Sequence, residues 1–227
     1  MKKLYRCFEI AIIFLLLVLP TFFVDYQPSA SFTPRFSLLT FVQLLIILLL
    51  CYQYLTTAYG DTYIPLKQKK EKRNISIKKC FLYAFIAFIL LCAINLFLNL
   101  IAYIYPNFCE EQITKTDFKF SAVSFFLLAL QFIISAFYEE SVYRLFLPES
   151  LIKLFPRFYT FIEFFAVLAF SLGHRYLGIL AVINAFLSGI VLRLLFIKTK
   201  TIIPGAAIHI IYNSLSFMLL FFTSKGL

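Results

Sequence analysis

The stretch FFLLALQFIISAFYEESVYRLFLPESL, residues 125–151, decides the class of fold. Its first half is almost entirely apolar, and two adjacent carboxylates, Glu139 and Glu140, then follow within the same run. A transmembrane helix needs about 20 mainly apolar residues, and residues 121–147 supply that length. Because an ionisable group inside a bilayer is costly, the acidic pair indicates a functional site within a membrane helix.

The composition of the whole chain agrees with a membrane protein. Of its 227 residues, 62% are hydrophobic and 14% are charged, whereas a soluble domain is about 45–50% apolar and about 25% charged. So little charge could not cover so much apolar surface in water. The composition therefore excludes a soluble enzyme, a secreted scaffold and a disordered chain. The five cysteines form no CxxC pair, so a cysteine-based zinc site is not indicated either.

The chain is predicted to be an all-α polytopic transmembrane bundle of about seven helices. The predicted spans are residues 8–24, 36–55, 80–105, 121–147, 158–173, 177–197 and 202–222. The first span is a retained anchor or, alternatively, a signal peptide, since basic residues precede its apolar core. We divide the chain into residues 1–119, with the N-terminal helices and a basic loop, and residues 120–227, the core that carries the polar motifs.

The distribution of basic residues predicts the orientation. With the N-terminus inside, sixteen of the 21 Lys and Arg residues fall on inward-facing segments. Positive residues collect on the cytoplasmic side of membrane proteins. We therefore expect an integral protein of the plasma (inner) membrane with a cytoplasmic N-terminus. The net charge of +10 is assigned to loops beside anionic lipid, so the bilayer is a predicted partner and nucleic acid is not.

The acidic pair is followed by a matching cation. Glu140 and Arg144 are four residues apart, with the acid first, which is the favourable orientation for a helical ion pair. On an α-helix Glu139 projects about 100° away from Glu140. One carboxylate would then be neutralised, while the other would be left for general-base chemistry. An ordinary helix end at the inner surface is the alternative for this cluster taken alone.

Both histidines of the protein also lie in apolar sequence. His174 ends the stretch FSLGH, residues 170–174, and His209 begins the stretch HIIYN, residues 209–213. His209 and Asn213 share one face of a helix, where an imidazole and a carboxamide can stabilise an oxyanion. Packing or an interhelical hydrogen bond is the alternative for either histidine alone, and it weakens when both accompany an acidic pair.

The ordered motifs EExxxR, FxxxH and HxxxN resemble one family of membrane enzymes. They cover residues 139–213 and are similar to the CPBP family, which comprises CAAX prenyl proteases of type 2 and bacteriocin-processing, Abi-like intramembrane proteases. The resemblance implies an intramembrane endopeptidase that hydrolyses a peptide bond of a membrane-associated peptide or protein. The substrate itself is not indicated, and no prenyl-binding pocket can be recognised in the sequence.

The resemblance also implies roles for individual residues. Glu139, assisted by His174, would activate the attacking water. His209 and Asn213 would stabilise the oxyanion of the tetrahedral intermediate. The supporting residues would be Glu140 and Arg144.

Other chemistries stay open at this point. Glu139, His174 and His209 would make a reasonable set of zinc ligands with a position left for water, but the HExxH motif is absent. We therefore favour metal-free, glutamate-dependent hydrolysis. A non-catalytic immunity or scaffold protein is the main alternative. A proton-coupled transporter is a weaker one, since Glu and His relays occur there but no internal repeat is visible.

The predicted depth of the site residues creates a difficulty. Glu139 would lie near the inner end of its helix and His174 near the outer end of the next, so the two side chains could not meet. The difficulty disappears if the helix continues through Leu147 or beyond, with Arg144 buried as the partner of Glu140. The site residues could then line one polar cavity.

The remaining polar residues of the predicted spans are given structural roles. Arg193 is expected to extend its guanidinium towards the inner surface, and Glu163 to lie near that surface. Asn184 lies among small residues that permit close helix packing, with a minor possibility of a role in the site. Asn95 and Gln131 are expected to form interhelical hydrogen bonds.

Overall fold

The structure is a computed structural model that describes residues 75–105, 117–118 and 122–224. It also describes short N-terminal pieces: residues 4, 7–8, 11–12, 15, 31–32 and 41–46. Residues 41–46 are helical, as the predicted span 36–55 requires. The rest of that span and most of the predicted span 8–24 lie outside the described residues.

The described part of the chain is helical, which confirms the all-α prediction. Its α-helices are α1 (Ile77–Ile104), α2 (Ala122–Glu139), α3 (Leu147–Leu154), α4 (Tyr159–Leu172), α5 (Ile179–Thr199) and α6 (Ile203–Ser224). A π-helix, Glu140–Phe146, joins α2 to α3, and short 3₁₀ turns, Pro156–Phe158 and Arg175–Leu177, flank α4. Ser31–Phe32 (β1) pairs in parallel with Asp117–Phe118 (β2), which is the extent of strand structure in the described residues.

The protein is a helical membrane bundle. Among the described residues, three helical segments are long and apolar enough to cross a bilayer: Ile77–Ile104, Val123–Leu154 and Ile179–Thr199. A shorter apolar helix covers Ile203–Leu219. Large apolar side chains such as Phe81 and Phe126 are 74% and 66% exposed on the outer faces, as expected of a surface that contacts lipid rather than water.

The segment Val123–Leu154 removes the difficulty that Glu139 and His174 were expected near opposite ends of their helices. It runs without a break through α2, the π-helix and α3, so the helix does continue beyond Leu147, as expected. Glu139 therefore lies near the middle of a span of 32 residues instead of at its end. All seven residues of the π-helix are buried, including Glu140 and Arg144.

The bundle is held together by contacts of α5 and α6. α5 packs against α1 and α4, while α6 packs against α1 and α2. α1 belongs to the predicted N-terminal region, yet it packs on two helices of the predicted core. The division of the chain at residue 119 stays a prediction.

Gly189 allows α5 to approach α4 closely. A Cβ atom on Gly189 would lie 3.1 Å from Cγ1 of Val167 and 3.3 Å from Cδ1 of Phe170. Such separations are shorter than ordinary carbon–carbon contacts of about 3.5–4.0 Å. The position therefore has room for glycine but not for a branched side chain.

The substitution Gly189→Val is expected to lower the free energy of unfolding by about 1–3 kcal/mol, since it overpacks the contact between α4 and α5. Thermal unfolding of the purified protein in detergent would measure the change. Ile190→Ala is a suitable control, because Ile190 is the next residue on α5 and is 38% exposed. A Gly189→Val protein as stable as wild type would contradict the close approach of these helices.

Candidate active site

A cavity of about 450 Å³ lies between α1, α2, α5 and α6 and the turn that follows α4. Its size is in the usual range for small-ligand sites, about 300–1,000 Å³. The four residues predicted to be catalytic all line it: Glu139, His174, His209 and Asn213. Its wall also carries uncharged polar side chains: Asn95, Gln131, Ser135, Asn184, Ser188, Tyr212 and Ser216. The tertiary structure thus brings together residues that are far apart in sequence.

The carboxylate of Glu139 has one engaged and one unengaged oxygen. Ser135, one turn earlier on α2, donates its hydroxyl proton to Oε1 over 3.1 Å. Oε2 is buried and accepts no hydrogen bond from the described residues. It lies 3.5 Å from Nε2 of His209. A buried polar atom normally has a partner, so Oε2 is well placed to accept a hydrogen bond from a bound water or substrate group.

Glu140 also reaches His209. Its Oε1 lies 3.2 Å from Nδ1 of His209 and 3.6 Å from Nε of Arg144. Because a carboxylate accepts, Nδ1 carries the proton in this contact. This orients the ring so that Nε2 faces Glu139. Glu140 is paired with Arg144, as expected, but Glu139 does not point away from this pair, because both carboxylates contact His209.

Arg144 is the buried cation of this cluster. It is fully buried beside Glu140, as expected for its ion-pair partner. Its guanidinium carbon lies 4.0 Å from the centre of the Phe170 ring, a distance at which a desolvated cation–π contact is favourable. None of its three guanidinium nitrogens has a hydrogen-bond partner among the described residues. The positive charge is therefore balanced by the nearby carboxylate and the aromatic ring.

His174 lies just beyond the end of α4. The helix ends at Leu172, and the backbone N–H of His174 donates to the carbonyl of Ser171 over 3.0 Å. Its Nδ1 lies 3.0 Å from the carbonyl oxygen of Phe170. A carbonyl oxygen can only accept, so Nδ1 donates and satisfies one of the last carbonyl groups of the helix. This leaves Nε2 as the nitrogen available to the cavity.

Ser135 and Tyr212 line the cavity although the sequence analysis did not place them in the site, and Asn184, for which a role in the site was only a minor possibility, lines it too. The hydroxyl group of Ser135 donates a hydrogen bond to the carboxylate of Glu139. Ser135 lies four residues before Glu139, and this spacing places the two side chains on one face of a helix. Tyr212 and Asn184 exchange hydrogen bonds of 3.0 and 3.2 Å across α5 and α6. Asn184 therefore does more than permit close packing, because its carboxamide forms part of the cavity wall. Only the tertiary structure pairs it with Tyr212.

Tyr176 adds a phenol to the rim of the cavity. Desolvation and the negative charge of Glu139 raise the pKa of Tyr176. Its hydroxyl group therefore stays protonated at neutral pH and can donate a hydrogen bond. Tyr176 lies in the short turn between α4 and α5, where the sequence offered no motif to indicate it.

The expected position of Arg193 is wrong. Its side chain is 5% exposed and does not extend to a surface. It contacts Glu163 of α4 at 2.6 Å and Glu149 of α3 at 3.1 Å. The guanidinium group is therefore neutralised by carboxylates of two neighbouring helices instead of reaching the membrane surface.

The alternative set of zinc ligands does not assemble in this structure. Glu139, His174 and His209 line one cavity, but no three His, Cys, Asp or Glu side chains of the described residues are close enough together to hold a metal ion.

The fold and the site define a class of protein: a helical membrane protein with paired carboxylates and histidines around an internal cavity. Residues 121–215 match the family model described as type II CAAX prenyl endopeptidase Rce1-like. This match confirms the resemblance of the segment to the CPBP family, and it supports a CAAX-type intramembrane endopeptidase. No curated protein and no solved structure matches the chain at a significant level.

Gly205 keeps the first turn of α6 close to Glu140. A Cβ atom at this position would lie 2.7 Å from Oε2 of Glu140. One of the two would have to shift, and the group that meets the new atom is the carboxylate that contacts His209. The glycine of the sequence IIPGAAIH is thus required for the contact between the π-helix and α6.

We expect Gly205→Ala to reduce peptide cleavage strongly, because displacement of a site residue by about 1 Å can cost roughly a hundredfold in rate. Cleavage would be measured with wild-type and variant protein at equal amounts in liposomes. Ala207→Leu serves as the control, since Ala207 lies two residues further along α6 and is exposed. Equal rates for wild type and Gly205→Ala would contradict the tight contact.

Proposed function

We propose that the protein hydrolyses a peptide bond of a membrane-associated substrate with Glu139 as the general base. In this proposal His174 assists Glu139 in activating the water. His209 and Asn213 stabilise the oxyanion, while Glu140 and Arg144 support His209 and the acidic pair. The substrate is a peptide or protein in or at the bilayer. The enzyme lies in the inner membrane, and its N-terminus faces the cytoplasm.

The observation that carries the proposal is the unengaged Oε2 atom of Glu139. It is buried, belongs to a side chain that lines the cavity and lies 3.5 Å from Nε2 of His209. A general base must be within hydrogen-bond reach of the proton that it removes. Ser135 already holds the other oxygen of the carboxylate, so Oε2 is the oxygen left to take a proton from a water molecule.

The proposed reaction begins with a water molecule held by Glu139 and His174. The water oxygen attacks the carbonyl carbon of the scissile bond, and its proton passes to Oε2 of Glu139. The carbonyl oxygen becomes the oxyanion of a tetrahedral intermediate. When the intermediate collapses, the carbon–nitrogen bond breaks, and Glu139 returns the proton to the leaving amine. The carboxylate is thereby restored for the next cycle.

The oxyanion needs donors that are in place before charge develops. His209 is oriented by Glu140 through Nδ1, so its Nε2–H can point into the cavity when the ring is protonated. Asn213 lies one helical turn later on α6 and also lines the cavity. The carboxamide supplies an N–H donor without adding a charge.

The proposal includes no metal ion. A stable hydrolysis rate after prolonged treatment with a chelator and removal of trace metals would support it. A loss of activity that added zinc restores would instead favour the ligand set of Glu139, His174 and His209.

The function can be tested by comparing the termini of membrane proteins in cells that express either wild type or Glu139→Gln at matched levels. We expect new termini with wild type that are absent with the variant, because the amide cannot accept the proton of water. Lys198→Gln is the control, since Lys198 is exposed at the far end of α5. Identical termini, with both proteins folded and inserted, would overturn the proposal and favour a non-catalytic membrane partner.

Asn213 provides a second test of the mechanism. Asn213→Ala is expected to lower kcat by about 10²–10³-fold, the usual effect of removing one oxyanion donor, while KM changes little. Asn213→Asp should be at least as damaging because it places a negative charge beside the oxyanion. A change confined to KM would assign Asn213 to substrate binding rather than to the transition state.

A further inference from the structure

Arg193 forms a buried junction between four parts of the bundle. It lies on α5, and its Nε and Nη2 atoms donate to the two carboxylate oxygens of Glu163 on α4, over 2.7 and 2.6 Å. Nη2 also donates to Glu149 on α3 over 3.1 Å. Nη1 donates to the backbone carbonyl of Arg144 in the π-helix. A planar guanidinium is suited to hold several acceptors in one fixed geometry.

These contacts lie outside the cavity. Arg193, Glu163 and Glu149 are absent from the described residues that line it. They therefore do not meet a substrate there, and the mechanism proposed above does not use them. A structural salt bridge is one explanation, but buried ion pairs contribute little net stability compared with apolar packing. The bond to a backbone carbonyl of the π-helix suggests a more specific role.

The π-helix is the segment that sets the position of Glu140. The carbonyl of Arg144, which Arg193 binds, is four residues from Glu140, and the side chain of Arg144 lies 3.6 Å from the Glu140 carboxylate. Glu140 in turn contacts His209 at 3.2 Å. A continuous series of contacts thus runs from the α3–α4–α5 junction to the imidazole of the candidate site. π-helical turns inside α-helices are rare and frequently occur at functional sites.

We propose that Arg193 is a positioning residue: through Glu163 and Glu149 it fixes the π-helix in the register that places Glu140 against His209. The importance of Arg193 for catalysis rests on the proposed function. The contact of Arg193 with the π-helix does not depend on that function. Without Arg193, the carbonyl of Arg144 loses this partner and two partly buried carboxylates lose their cation. The π-helix is then free to shift, and the orientation of the His209 ring shifts with it.

The test uses the fact that the protein has only two histidines. The full chain, purified through a tag that lacks histidine, would be labelled with ¹⁵N-histidine and studied by NMR in lipid nanodiscs. His174→Gln assigns the two sets of signals. Arg193→Gln is expected to move the His209 ring signals by more than their linewidth, and to move those of His174 less. Arg193→Lys should restore only part of the wild-type spectrum, because one ammonium group cannot bind three partners in the plane of a guanidinium.

Lys198→Gln is the matched control, since it removes an exposed cation from the same helix. Its spectrum should equal that of wild type. A folded Arg193→Gln protein with unchanged His209 signals would overturn the inference. If Arg193→Gln does not fold, Glu163→Gln is the second variant, because it keeps the shape of the side chain and should give the same shift of His209. Loss of folding in both variants would assign Arg193 to general stability and also overturn the inference.

The experiment separates this inference from the proposed function because it needs no substrate. A His209 shift in a protein that cleaves no peptide would support the role of Arg193 and refute the hydrolytic mechanism. If cleavage is observed, Arg193→Gln is expected to lower kcat with little change in KM, since Arg193 does not line the cavity. A change in KM alone would contradict a positioning role.

Discussion

The contact between Glu140 and His209 joins two of the elements that carry the candidate catalytic groups. A charged side chain at the centre of a bilayer costs several kcal/mol unless it has a partner, so Glu140 requires close neighbours. Arg144 supplies the opposite charge, and His209 supplies a hydrogen bond. Gly205 lets α6 approach closely enough for that bond. The position of Glu139 at the cavity follows, since it is the adjacent residue on the same continuous span.

Two neighbouring carboxylates contact one imidazole where α2 passes into the π-helix. Glu140 lies 3.2 Å from Nδ1 of His209, and Glu139 lies 3.5 Å from Nε2 of the same ring. Groups that are positioned in this way before a substrate binds need little rearrangement during the reaction.

The cavity extends the site beyond the segment that matches the family. α1 lies outside residues 121–215, yet it contributes Leu91 and Asn95 to the wall. A peptide inside a membrane must satisfy its backbone N–H and C=O groups. Carboxamide and hydroxyl groups around the cavity can do so without adding charge, while Glu139 and the histidines supply the reactive groups. The bundle thus combines a cavity lined by polar side chains with an outer surface suited to lipid.

The sequence by itself determined the helical membrane class and the candidate residues, because hydrophobic length and misplaced charges are properties of single segments. It also gave the bounds of the described helices to within a few residues, except that the span from residue 121 continues to Leu154. It also predicted the burial of Arg144, since Glu140 is its neighbour on the same helix. It did not predict the π-helix, the partners of Arg193 or the pairing of Asn184 with Tyr212. These depend on which helices lie side by side, and a buried charge takes whichever partner the packing brings within reach. Only the tertiary structure decided those contacts.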